Sequence, residues 1–159
     1  MSKIIPKLIA TTLGAGYFPV GPGTMGALVG AVIVWLFGIY NVFNFAFYEL
    51  NALLIILIII FGLLGVWSTN QLESEWGKDP GKIVMDETVG VWITCLFVPM
   101  TISTLIAAFI LFRIFDIWKP LGIKKFEALK GGVGVMMDDV VAGIYSNIVL
   151  QIIVFSGLI

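Results

Sequence analysis

The sequence contains no histidine and a single cysteine, Cys95, among its 159 residues. Without imidazole there is no Ser-His or Cys-His nucleophile pair and no histidine-rich metal site. One cysteine forbids an intramolecular disulfide, and nothing near Cys95 in sequence would lower its thiol pKa, so it reads as buried bulk. Charge is also scarce: Asp, Glu, Lys and Arg make up 12% of the chain, about half the roughly 25% of soluble domains. A net charge of −1 gives no electrostatic reason to expect a nucleic-acid partner. Internal repeats, low-complexity segments and flexible linkers are missing too, and residues 1–159 read as one domain. Lys3 and Lys7 precede an apolar stretch that breaks off at Gly14, too soon for the core of a cleavable secretion signal. Residues 1–13 suit an amphipathic helix lying at a membrane interface.

What the chain has in abundance is apolar residues, 60% of the total. Three stretches approach or exceed the roughly 20 residues a helix needs to cross a bilayer: Met25 to about Tyr48, Leu50 to Val66, and about Val140 to Ile159. They predict an all-α, polytopic integral membrane protein with three long spans. Lys3 and Lys7, Lys78 and Lys82, and Lys119 to Lys130 flank these spans, whereas Asn41 to Glu49 carries no Lys or Arg. The positive-inside rule therefore puts the basic segments in the cytoplasm and that connection outside. Thr88 to Phe112, as one helix, would measure about 37 Å and cross once, separating Lys78 and Lys82 from Lys119 to Lys130. Two shorter arms turning near Pro99 return the chain to the same side, so the expectation is a central re-entrant or short helical hairpin shielded by the long helices. Gly26 and Gly30 in the first span have the spacing of a helix-packing face, suited equally to contacts within one subunit or to a homo-oligomer.

Polar residues gather in islands, and the acids within them carry the chemical signal. Asp86 and Glu87 follow the apolar run IVM, Asp116 sits in RIFDIWKP, and Asp138 and Asp139 end GGVGVMMDD. Carboxylates abutting membrane segments are costly unless paired, hydrated or bound to a cation. All-oxygen ligand sets suit Mg2+ or Mn2+. Arg113, Asp116 and Lys119 fall at successive i,i+3 spacings, which reads either as a structural ion-pair ladder or as a metal ligand between phosphate-neutralising cations. For the Asp138 and Asp139 pair, placed at the start of the last helix, a helix cap explains one acid and chelation explains both. GAGYFPVGPGT lacks the strand and the Walker lysine of known phosphate loops. It reads as a turn before the first span, or as a backbone cradle for an anion in which Thr24 takes part.

Taken in order, GAGYFPVGPGTMGAL, DPGKIVMDETVGVWIT, FRIFDIWKPLGIKKFE and GGVGVMMDDVVAGIYSN resemble the phosphatidylglycerophosphatase A family of bacterial membrane lipid phosphatases. The resemblance runs from Gly14 to Asn147. It implies Mg2+-dependent hydrolysis of phosphatidylglycerophosphate to phosphatidylglycerol and inorganic phosphate at the cytoplasmic face of the inner membrane. It points to Asp86, Glu87, Asp116, Lys119, Asp138 and Asp139 as catalytic residues, the five acids among them also holding metal. Gly21, Gly23 and Thr24 match the family's PGT loop, and with Lys119, Arg113 and Lys82 they are the phosphate-binding candidates. A small cation transporter is the rival of a different class, because carboxylates and broken helices mark transporters as well. A phosphatase for a different lipid phosphate is the rival within the enzymes.

Overall fold

The computed structural model describes residues 3–39, 46–78 and 80–159. The described residues form six α-helices and two 3-10 segments, with no strand among them: α1 Ile4–Ala10, α2 Pro22–Ile39, α3 Phe47–Trp76, α4 Met85–Thr94, α5 Ile102–Trp118 and α6 Gly132–Phe155. The 3-10 segments are Ala15–Tyr17 and Ile123–Ala128.

Short α4 is the centre of the bundle, and nine of its ten residues are buried. Its neighbours approach closely because they present glycine. A Cβ on Gly26 would lie 2.5 Å from Val84 Cβ, and one on Gly30 would lie 3.1 Å from the Thr88 backbone. The glycine pair of α2 is thus taken up by α4 inside one chain, where Trp92 Nε1 donates to Gly30 O at 3.0 Å. On the opposite side Gly143 of α6 meets Gly90, where a Cβ would stand 2.5 Å from the Gly90 carbonyl oxygen. Phe61 packs edge-on against Trp92, and Val91, Ala108, Phe112, Ala142 and Leu150 complete the apolar core.

Residues 95–101 turn the chain from α4 into α5, so the start of α4 and the end of α5 lie at the same end of the bundle. This is the hairpin expected around Pro99. Phe97 takes a left-handed backbone at φ 58°, and its N–H donates to Asn51 Oδ1 of α3 at 2.7 Å. Asn147 Nδ2 of α6 donates to Thr94 O and Leu96 O at 2.9 and 2.7 Å, satisfying carbonyls that the end of α4 leaves open. Asn51 is 1% exposed and its Oδ1 is the acceptor for the part-buried Phe97 N–H, so Asn51→Leu removes that partner at a cost of about 1–3 kcal/mol. The expected result is a melting temperature in detergent lower by roughly 3–10 °C, read by tryptophan fluorescence.

Two helices, α3 and α6, are long and apolar enough to cross a membrane, and 17% of the most apolar window of α3 is buried. Ile56, Ile59 and Leu63 of α3, Ile106 and Ile110 of α5, and Ile148 and Ile152 of α6 all face outward. That apolar girdle is the surface of a membrane-associated protein. The expectation of three long spans is corrected to two. Among the described residues α2 is the shorter apolar helix, and the run as far as Tyr48 is not one helix. Ala46 is extended, its N–H donates to Glu49 Oε2 at 2.8 Å, and Phe47 and Tyr48 begin α3. The remainder of that predicted span, residues 40–45, lies outside the described residues. The third span also shifts: α6 begins at Gly132 and ends at Phe155, instead of running from Val140 to Ile159.

Candidate active site

Where α4 begins, α5 ends and α6 passes, the chain encloses a cavity of about 150 Å³. Asp86, Glu87, Asp116, Lys119, Asp138 and Asp139 all line it. Three separate polar islands of the sequence therefore meet in one place.

Each acid is positioned by its helix. Val84 N–H donates to Ala10 O at 2.8 Å, tying the entry of α4 to α1. Asp86 and Glu87 then occupy the first turn of α4, where open N–H groups and the helix dipole favour negative charge. Glu87 is pressed against the start of α2, since a Cβ on Gly23 would fall 2.1 Å from Glu87 Oε1. Asp138 and Asp139 sit well inside α6, so the helix-cap reading of this pair does not hold. The start of α6 is capped from outside, by Asn70 Oδ1 accepting from Gly132 N–H at 2.7 Å. α6 starts this early because Gly132 and Gly134 have no room for a side chain: a Cβ would meet Val66 O at 2.4 Å and Leu129 O at 2.3 Å.

One carboxylate oxygen each of Asp86, Glu87 and Asp139 lies within 4.8 Å of the others, the spacing of a group that could hold a metal ion. Asp139 is 3% exposed and Asp86 9%. Asp86 Oδ1, Glu87 Oε2 and Asp138 Oδ1 are buried with no hydrogen-bond partner. Buried carboxylates this close repel one another, and each orphaned oxygen forfeits its hydration. A hard divalent cation relieves both penalties at once, and its preference for oxygen matches the donors present.

Cations border the cluster without neutralising its centre. Lys119 Nζ donates to Asp138 Oδ2 at 2.6 Å and to Glu127 Oε1 at 2.5 Å. Partial burial pulls the pKa of Lys119 down, but these two carboxylates outweigh it and hold the ammonium above its ordinary value. Arg113 Nη1 donates to Asp116 Oδ2 at 2.5 Å and lies 4.0 Å from Glu87 Oε1. The predicted ladder is thus half formed. Lys119 is the left-handed C-cap of α5, with φ 45°, and turns to Asp138 and Glu127 while Asp116 pairs with Arg113.

The remaining candidates fall elsewhere. Lys82 projects outside the cavity, 5.9 Å from the Tyr17 ring centre and 5.7 Å from that of Trp76. Gly21, with φ 64°, turns the chain into α2, and neither it, Gly23 nor Thr24 lines the cavity. Two charged lining residues escaped the sequence reading of the site, Lys78 and Glu127. Lys78 adjoins Asp79 in sequence and Glu127 follows Lys124 and Lys125, and only the fold brings Glu127 to Lys119.

A family model described as Phosphatidylglycerophosphatase A matches residues 8–154. A Bacteroides thetaiotaomicron protein, named provisionally as a phosphatidylinositol-3-phosphatase, is 50% identical over 94% of this chain and 94% of its own length. Phosphatidylglycerophosphatase A of Escherichia coli K12 is 38% identical, covering 92% of this chain and 81% of the relative. The Haemophilus influenzae protein of the same name is also 38% identical, over 90% and 85%. No solved structure matches the chain. With its acids gathered into one cavity and the family match spanning nearly every residue, the chain belongs to the phosphatidylglycerophosphatase A family of phosphatases.

Proposed function

We propose that the protein hydrolyses phosphatidylglycerophosphate to phosphatidylglycerol and inorganic phosphate, using Mg2+, at the cytoplasmic face of a bacterial inner membrane. The observation that carries this reading is the cluster of Asp86, Glu87 and Asp139, with buried, unpartnered oxygens beside Lys119. The basic loops at that end of the bundle support the cytoplasmic orientation. The α4–α5 hairpin enters and leaves at the same end as the cavity, which supports a re-entrant arrangement.

Asp86, Glu87 and Asp139 would hold the cation, with Asp116 and Asp138 adjoining them in the cavity. A divalent ion bound there supplies Lewis acidity toward the phosphoryl group and toward an attacking water. The protein's own part is electrostatic and positional. Lys119 presents a fixed positive charge beside the acids and offsets the charge that develops on the transferred phosphoryl oxygens. Asp138 and Glu127 hold that ammonium in place, so Lys119 keeps its proton and acts as a charge, not as a base. Lys78, at the cavity wall, adds a second cation for the incoming phosphate. An acid on the far side of the cavity from Lys119 is the group that can orient or deprotonate water.

The phosphoinositide named for the Bacteroides relative makes a second substrate reading specific. Both lipids carry one phosphodiester and one phosphomonoester, and in both the two phosphates are separated by three carbons. The cavity chemistry suits either monoester. Phosphate release by the purified protein is therefore measured on the two lipids side by side in mixed micelles, with Mg2+ and with excess EDTA. Mg2+-restorable release, faster on phosphatidylglycerophosphate, is the expected outcome. Faster release from phosphatidylinositol 3-phosphate would replace the substrate, and release undiminished by EDTA would remove the cation from the mechanism.

A further inference from the structure

Arg113 stands on the partition between the polar cavity and the apolar outside of α5. Among the described residues its guanidinium makes one hydrogen bond, from Nη1 to Asp116, and Nε is buried without a partner. Asp116 and Glu87, which flank that Nη1, both line the cavity. The hydrocarbon stem of Arg113 joins Phe109, Ile110, Ile114, Ile117 and Trp118 in walling an apolar depression of about 550 Å³ on the outer face of α5. Phe109 also lines a groove of about 340 Å³ between α2 and α5, with Trp35 and Ile106, so an apolar path continues along the helix.

An ion pair with Asp116 accounts for one edge of the guanidinium and leaves the buried Nε without a partner, next to an apolar wall where a cation is costly. The planar fork of arginine suits a tetrahedral phosphate with two unesterified oxygens. A lipid whose monoester lies in the cavity has its diester nearer the acyl chains, and Arg113 lies between the cavity acids and the apolar depression.

We infer that Arg113 binds the bridging phosphodiester of the lipid substrate, and that the acyl chains follow the apolar path along α5. This rests on the phosphatase reading and adds a second phosphate subsite to it. Arg113 is then a specificity residue: it selects lipids with a diester three carbons from the scissile monoester over phosphatidic acid, which has the monoester alone. Both named substrates meet that requirement for the same reason.

The test compares wild type, Arg113→Lys and Arg113→Gln on phosphatidylglycerophosphate and on its analogue with the bridging diester methylated to a neutral triester. Wild type should lose roughly tenfold to a hundredfold in kcat/KM on the triester, mostly through KM, the range of a lost hydrogen bond to a charged group. Arg113→Gln should show the same loss on the natural lipid and no further loss on the triester, with Arg113→Lys between. An unchanged KM of wild type on the triester overturns the subsite, and this arm needs no variant to fold. Additive losses, or a fall in kcat at constant KM, overturn it as well and place Arg113 at the scissile phosphate or behind Asp116. Wild type that releases phosphate from neither lipid overturns the phosphatase reading itself, a result distinct from failure of the subsite.

Discussion

Asp139→Asn should lower phosphate release from phosphatidylglycerophosphate by a factor of about a thousand or more, without loss of fold. Asp139 is buried, shares the 4.8 Å cluster with Asp86 and Glu87, and belongs to a helix that packs directly on α4. Replacing it with the isosteric amide removes one anionic ligand and leaves the volume intact. Loss of one preorganised electrostatic group typically costs 10²–10³ in kcat, roughly, and loss of a metal ligand should cost at least that. The same change removes a like charge from a crowded, desolvated cluster. In the absence of divalent cation the melting temperature of the variant should therefore hold or rise, as expected where a functional site is strained in the unloaded protein. Activity within tenfold of wild type would take Asp139 out of the site. A collapse of the melting temperature would make its role structural.

Gly143→Val should abolish activity through geometry alone, because its Cβ would lie 2.5 Å from the Gly90 carbonyl oxygen, a backbone atom that cannot swing aside. Asp139 lies one helical turn before Gly143, and Asp86 and Glu87 lie about one turn before Gly90. A wedge between the two glycines therefore spreads the carboxylates apart. Overpacking of this kind costs about 1–3 kcal/mol or more, and the melting temperature should fall by roughly 5–10 °C. Gly62→Val is the matched control: a Cβ there meets nothing within 4 Å, on a face of α3 that touches no part of the cavity. Equal behaviour of the two variants, by activity and by melting, would contradict the account of α4 and α6 as the frame of the site.

The acids were legible in the sequence because each interrupts an apolar run, and a carboxylate in such a place needs a physical reason. Their partners were not. Lys119 precedes Pro120 and takes a left-handed backbone, so it leaves the face of Asp116 and reaches Glu127 and Asp138, a pairing that no spacing rule encodes. The hairpin around Pro99 was legible from the balance of lysines. Its shielding by the long helices was expected as well, but not that burial reaches the first turn of α4, with Met85 and Asp86. Glycines carry packing that the sequence did not show. Gly132 and Gly134, ahead of the acid pair that the sequence places at the start of the last helix, are themselves helical residues without a side chain, so that α6 can touch Val66 and Leu129. Gly23 read as part of a turn or an anion cradle, and the space its side chain would fill is held by the Glu87 carboxylate. Apolar length alone proposed three spans, and the extended Ala46 divides one of them.

The claim on which the mechanism turns is that the buried carboxylates hold a divalent cation. Titration of the purified protein with Mn2+, following the free ion by electron paramagnetic resonance, measures this without substrate. Wild type should bind Mn2+ saturably and in competition with Mg2+, and Asp86→Asn should weaken that binding by about a hundredfold or more. Equal Mn2+ affinity in the two proteins, or no binding by a wild type that releases phosphate, would contradict it.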